Sequence, residues 1–278
     1  MKKSSRFGAI VTYTVAILLV LIVVLPLLWA LLMSFKQPKD IITWPPKFIF
    51  KPTLKNYKEV LLGTNTFSFV KVLLNSIVIT GISTVATVTL ASITAYSISR
   101  LKPKGSALLN FIILGVRMVP SIVLVVPLYI IYNNLGLLDT RIGLIAPFTA
   151  LSIPFATWTL EGFFLDIPKN IEEAAMIDGC TPFETLWKVI LPLAAPGVAA
   201  TSIFSFILSW NDLTIPLPLT MTEAITLPVF ASLVKTDDGI LWGQVGSVSV
   251  IMILPIIFFT IFATKYLIKG IAGGAVKG

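Results

Sequence analysis

The chain has 278 residues, of which 56% are hydrophobic and 12% charged, whereas a water-facing domain carries about a quarter charged residues. Too little polar surface is left to cover a soluble enzyme, so lipid is the solvent for most of the chain. Histidine is absent and Cys180 is the one cysteine, which excludes a histidine or multi-thiolate metal site, a histidine-based triad and an intrachain disulfide; the net charge of +8 points to anionic headgroups before nucleic acid.

A helix that crosses the hydrocarbon needs about 20 mostly apolar residues, and the gaps between charges set out six such stretches: 10-33, 72-98, 108-132, 142-165, 193-220 and 242-268. The first follows Lys2, Lys3 and Arg6 as a signal peptide would. It runs from Ile10 to Met33 without a small-x-small cleavage site, longer than a cleavable core of about 7 to 15 residues, and is read as a retained helix. Trp29 and Trp44 read as interfacial anchors. Six spans place both termini on one side. With the termini in the cytoplasm, eleven basic residues lie inside and nine outside or at the outer edge, six of the nine (Lys36, Lys39, Lys47, Lys51, Lys55, Lys58) in the one long connection after the first span. Charge therefore favours an inside N-terminus only slightly.

The third span carries Arg117 well inside its apolar run, where a charge costs at least roughly 2.5 to 3.5 kcal/mol on insertion scales. Three roles fit: pairing with a carboxylate of a partner subunit, holding a polar substrate, or snorkelling from a helix that begins nearer Val116. Glu161, close to the end of the fourth span, reads as a helix-end residue.

Residues 166 to 192 form a 27-residue polar segment where a short linker would suffice, and it reads as two helices. Asp166-Ile167-Pro168 offers an N-cap with a proline at the first turn, and Gly179 a stop. Thr181-Pro182-Phe183-Glu184 is a capping box that opens a second helix, with Phe183, Leu186, Trp187, Val189 and Ile190 on an apolar stripe until Pro192. Such a pair could lie in the headgroups or dock in a protein groove. Glu172, Glu173, Asp178 and Glu184 outnumber Lys169 and Lys188 here, and acidic faces do not seek anionic lipid.

In the fifth span Pro196, Pro216 and Pro218 are expected to interrupt helical hydrogen bonding, which a membrane tolerates only beside protein or water. Trp210, Asn211 and Asp212 lie between these breaks. An aromatic face, an amide and a carboxylate suit a sugar's apolar face and hydroxyls, so they could line a path. They could equally form an outer interfacial belt, because Asp212 lies about 28 Å from a helix start at Leu193. The chain shows no Gly-x4-Gly-Lys-Ser/Thr motif for ATP.

Glu173-Ala174-Ala175, Gly179 and Val189-Ile190-Leu191-Pro192 together closely resemble the EAA loop of ABC importer permeases, with Val189 at the place of the family's isoleucine. Tyr96-Ser97-Ile98-Ser99-Arg100, Pro127-Leu128-Tyr129 and Ser209-Trp210-Asn211-Asp212 resemble the carbohydrate branch of that family. Lys269-Gly270 and Gly274-Ala275-Val276-Lys277-Gly278 are similar to the tail of the smaller maltose-type permease subunit. The resemblance implies an all-α, polytopic fold of the type I importer permease architecture, with six transmembrane helices. It implies an N-terminal helix and extracytoplasmic connection over 1-71, a permease core over 72-268 with the loop at 166-192 in the cytoplasm, and a tail over 269-278.

On this reading the chain is a membrane subunit, not itself an enzyme, of an ATP-driven sugar importer in a bacterial or archaeal inner membrane, working by alternating access. The resemblance assigns ATPase docking to Glu173, Ala174, Ala175, Asp178, Gly179, Phe183, Leu186, Trp187 and Pro192. Trp210, Asn211, Asp212 and Arg117 are path candidates, and Gly274, Lys277 and Gly278 belong to a tail that enters the ATPase dimer interface. ATP and Mg would sit on a dimer of ATPase subunits; a second permease subunit and an extracytoplasmic sugar-binding protein complete the assembly. A permease for a polyol, glycerol phosphate or another polar solute stays open, as does an ion-coupled transporter with Asp212 as its carboxylate.

Overall fold

A computed structural model describes residues 6–63, 67–236 and 239–274. In chain order the helices are α1 (Arg6–Ser34), α2 (Pro38–Ile41), α3 (Lys55–Leu62), α4 (Phe69–Tyr96), α5 (Ser106–Arg117), α6 (Ser121–Leu135) and α7 (Arg141–Leu165). Then come α8 (Lys169–Ile177), α9 (Pro182–Thr185), α10 (Leu191–Leu193), α11 (Ala195–Trp210), α12 (Pro216–Leu219) and α13 (Leu227–Leu233). A two-residue antiparallel pair, β1 (Lys235–Thr236) and β2 (Gly239–Ile240), precedes α14 (Trp242–Gly274). Two π-helical turns, Ser97–Leu101 after α4 and Leu186–Ile190 between α9 and α10, widen the helix locally.

Among the described residues, four helices are long and apolar enough to cross a membrane, and the count rises to six if two bent pairs each make one span. The third expected span is such a pair. It breaks after Arg117 and turns by 90° into α6, because Pro120 has no N–H to continue the ladder and instead stands as the N-cap of α6. The fifth span also differs from expectation. Pro196 lies in the first turn of α11, where its missing N–H costs nothing, and Pro216 opens the separate α12. These prolines delimit helices and do not interrupt one. The span ends at Trp210, and α10 joins α11 through a bend of 85°.

The chain divides into two compact units, residues 1–69 with 231–254 and residues 70–230 with 255–278. In the first, α1 is apolar on every face and exposed along nearly all its length, as suits a helix whose solvent is lipid. Its C-terminal end is tied down by buried Asn56, whose amide donates to the carbonyls of Ser34 at 2.9 Å and Lys36 at 2.8 Å, groups that α1 itself leaves unpaired. Gly243 and Gly246 let the start of α14 lie against this junction: a Cβ at either would meet the Asn56 amide at 2.6 Å or the Ala30 carbonyl at 2.9 Å.

Among the described residues, two apolar clusters lie in the second unit. One gathers Ala95 and Tyr96 of α4, Leu160 and Phe164 of α7, and Leu186 and Ile190 of the second π turn. The other joins Ile79, Leu144, Phe148, Ile215 and Leu219. Gly197 brings α11 directly onto α7, since a Cβ there would sit 2.3 Å from the Phe163 ring. The segment after α12 is pinned to α4 by Asn75, which donates to the carbonyls of Glu223 and Ile225, and by Ser76, which accepts from Leu227.

Candidate functional site

Local chemistry builds the loop between α7 and α11. Asp166 closes α7 rather than opening α8, and Pro168 takes the N-cap position of α8. Gly179 ends that helix with φ +91°, a left-handed conformation that a Cβ would strain. The Thr181 hydroxyl then accepts from the Glu184 N–H at 3.3 Å while the Glu184 carboxylate accepts from the Thr181 N–H at 3.0 Å. This is the capping box the sequence predicts. Pro192 does not stop the helix, which continues to Leu193 with that proline in its first turn.

The apolar stripe of the second loop helix splits between two surroundings. Phe183 and Trp187 are exposed, 60% and 40% respectively, with their rings 6.0 Å apart. Leu186 is buried against the chain's own α4 and α7, which corrects its assignment to the docking surface. Ala174, Glu173 and Asp178 are exposed, whereas Ala175 is buried. The acidic face is also smaller than its residue count. Glu184 is held by Lys188 and Thr181, and Glu172 turns inward.

Glu172 is the residue that the sequence reading missed. Its carboxylate accepts from the Tyr96 hydroxyl at 2.5 Å and lies 3.4 Å from Arg100 Nε. Arg100 in turn donates to the carbonyls of Phe164 and Ile167. The loop is thus fixed to the ends of α4 and α7 through a buried charge pair. The signal was Tyr96 and Arg100 spaced one turn apart after an apolar run, together with a second glutamate beside Glu173.

A cavity of about 350 Å³ lies beside the break between α5 and α6. Arg117 and Asp212 both line it, with Ser121, Ser152 and Ser209 as further polar groups and Phe155 among the apolar ones. The Arg117 guanidinium stacks over the Phe155 ring at 4.5 Å, so part of its charge is met by an aromatic face. Asp212 lies beyond the end of α11 and accepts from the Ile215 N–H at 2.9 Å. Trp210 does not join them. It is 1% exposed and stacked on Phe206 with ring centroids 5.3 Å apart, so it offers no face to a sugar and forms no interfacial belt. Asn211 is exposed and its amide donates to its own helix at Ile207.

At the chain's end α14 continues through Gly270 and Gly273 to Gly274. Lys277 and Gly278 lie outside the described residues.

The apolar helices, four of them single spans and two bent pairs, make this an all-α, polytopic membrane protein. Residues 87–273 match the family described as binding-protein-dependent transport system inner membrane component, and the chain belongs to that family. It is 36% identical to the trehalose/maltose transport system permease protein MalG of Thermococcus litoralis, over 95% of each chain. It is 38% identical to the trehalose transport system permease protein SugB of Mycobacterium tuberculosis, over 91% of this chain and 92% of that protein. A chain from the crystal structure of a bacterial ABC transporter involved in the import of the acidic polysaccharide alginate shares the fold, with a TM-score of 0.79 and 24% identity over 96% of this chain and 99% of that chain.

Proposed function

We propose that the chain imports a sugar or oligosaccharide by alternating access, as the membrane-spanning subunit of an ATP-driven importer. The names of three relatives, permease proteins for trehalose/maltose, trehalose and diacetylchitobiose, support a carbohydrate substrate. ATP and Mg are bound by a dimer of cytoplasmic ATPase subunits, and a second permease subunit and an extracytoplasmic sugar-binding protein complete the assembly. Both termini are cytoplasmic, on the same side as the loop at 166–192.

The observation that carries this reading is the build of the loop. It is capped at both turns and anchored from within by Glu172, yet it presents the adjacent rings of Phe183 and Trp187 outward. An element this well fixed with aromatic side chains exposed beside Glu173 and Asp178 fits a protein groove better than an anionic lipid surface. The loop receives the ATPase and passes its motion through Arg100 and Glu172 to the ends of α4 and α7.

Truncation of a buried aromatic anchor at an interface typically costs about 2 to 4 kcal/mol. Trp187→Ala should therefore release the ATPase from the detergent-solubilised complex far more readily than Lys188→Ala. Equal retention in the two variants would instead place the loop in the lipid interface.

A further inference from the structure

Lys36 follows α1 by two residues and is 1% exposed. Its ammonium lies 4.8 Å from the centroid of the Trp29 ring and 5.3 Å from that of Phe50. Ring faces offset part of a cation's charge, but an ammonium also carries three hydrogen-bond donors. Among the described residues no carboxylate or carbonyl takes any of them. The acid nearest in sequence, Asp40, is occupied by Lys47 at 2.9 Å. Lys36 Nζ is not among the fully closed-off unpaired polar atoms, so the ammonium keeps an opening through which an acceptor from outside the protein can reach it.

The same ammonium-bearing side chain lines a cavity of about 520 Å³ with Trp29, Met33, Ile41, Ile42 and Trp242. Among the described residues, no acidic residue lines this cavity. Its position is set by two spans: α1 ends at Ser34 and the membrane stretch of α14 begins at Trp242. The cavity therefore lies where the hydrocarbon gives way to headgroups, the level at which indole rings concentrate. A cation beside two indole rings and aliphatic side chains at that level matches one ligand chemistry, a phosphate anion with apolar substance attached.

We propose that this pocket binds the phosphate of an anionic phospholipid, with Lys36 as the ligand to the phosphate oxygens and Trp29, Trp242 and Ile42 against the glycerol and upper acyl chain. A bilayer lipid is the source favoured here, because free phosphate would leave the apolar lining wet. Lysine binds phosphate as a point charge, so arginine can replace it in charge although not in shape.

The full chain, purified in detergent and supplied with phosphatidylglycerol or phosphatidylcholine, provides the test by native mass spectrometry and by thermal unfolding. The wild type should retain phosphatidylglycerol and gain in Tm with it. Lys36→Gln should lower that retention by about five-fold or more and lose the Tm gain, while Lys36→Arg keeps most of both. Trp242→Ala, at a half-exposed position where folding is little affected, should also weaken retention. Equal retention and equal Tm gain in Lys36→Gln and wild type would overturn the proposal. A Tm gain with inorganic phosphate alone that matches the gain with lipid would overturn the choice of a lipid.

Discussion

Arg100 and Glu172 are both charged and both nearly closed off, with side-chain exposures of 3% and 9%. A buried pair of this kind adds little net stability against an apolar replacement, yet it is strongly destabilising to break, by about 3 to 5 kcal/mol, because the survivor's charge stays buried without its counter-ion. Glu172→Ala should therefore lower the heat stability of the purified subunit more than the double replacement Arg100→Met with Glu172→Leu. If the single variant is no worse than the double, the pair is not coupled. Asp139 is a second residue on which one junction depends. It adopts φ +56° and its carboxylate accepts from the N–H groups of Met221, Thr222, Glu223 and Ala224 at 2.9 to 3.0 Å. Burial pushes its pKa up, but these four backbone donors outweigh burial and hold it at about 2, against an ordinary 3.8. A depressed carboxylate pKa stabilises the fold fully above the ordinary value and loses that contribution as the pH falls from there toward the folded value. The wild type should thus be more heat-stable than Asp139→Asn at pH about 6, and the gap should close between pH about 4 and 2. A gap that persists at the acid end would mean that the carboxylate's charge is not what holds the junction.

At the scale of elements, Gly179 separates conformational from steric cost. A Cβ built there meets nothing within 4 Å, so the penalty of a substitution comes from its positive φ alone. For a β-branched residue this is roughly 1 to 3 kcal/mol. Gly179→Val should misplace the second loop helix and uncouple ATP hydrolysis from transport in assembled complexes that still reach the membrane. Gly179→Asn, which tolerates a left-handed backbone, should stay close to wild type. Normal coupling in the valine variant would remove the role of this turn. The two stops of the loop were legible in the sequence because a glycine C-cap and a capping box are read from neighbouring residues alone. The burial of Leu186 was not, because a stripe at helical spacing does not say which of its residues the chain's own core will take. Nor was the inward turn of Glu172, whose partners Tyr96 and Arg100 come from another helix. The same limit explains the spans: the gaps between charges located the apolar stretches, four of them as single helices and two as bent pairs, but the sharp turns after Arg117 and at Ala194 depend on which proline opens the next helix.

At the scale of the whole molecule, the translocation path is a question of which side chains meet water. Arg117 and Asp212 were each legible as charges too costly to leave in lipid, but their common cavity depends on how α5, α7 and α11 fold together. The sequence also made Trp210 a candidate for the path or an interfacial belt, whereas the structure buries it on Phe206. This contrast gives a test between the cavity wall and the packed stack beside it. Ser152 lines the cavity and is small, so Ser152→Cys changes one oxygen to sulfur without filling the space, and Asp212→Cys samples the same wall. In a background where Cys180 is replaced, both should react with a membrane-impermeant thiol reagent in the assembled transporter. Their rates should change between the nucleotide-free and ATP-bound states, because alternating access opens the path to one side at a time. Trp210→Cys creates space in a closed aromatic stack and should react far more slowly in either state. If Ser152→Cys and Asp212→Cys stay silent in every state while Trp210→Cys reacts, the cavity is a packing feature and the path runs elsewhere; reaction at Asp212→Cys that no nucleotide alters would assign it to a static interface.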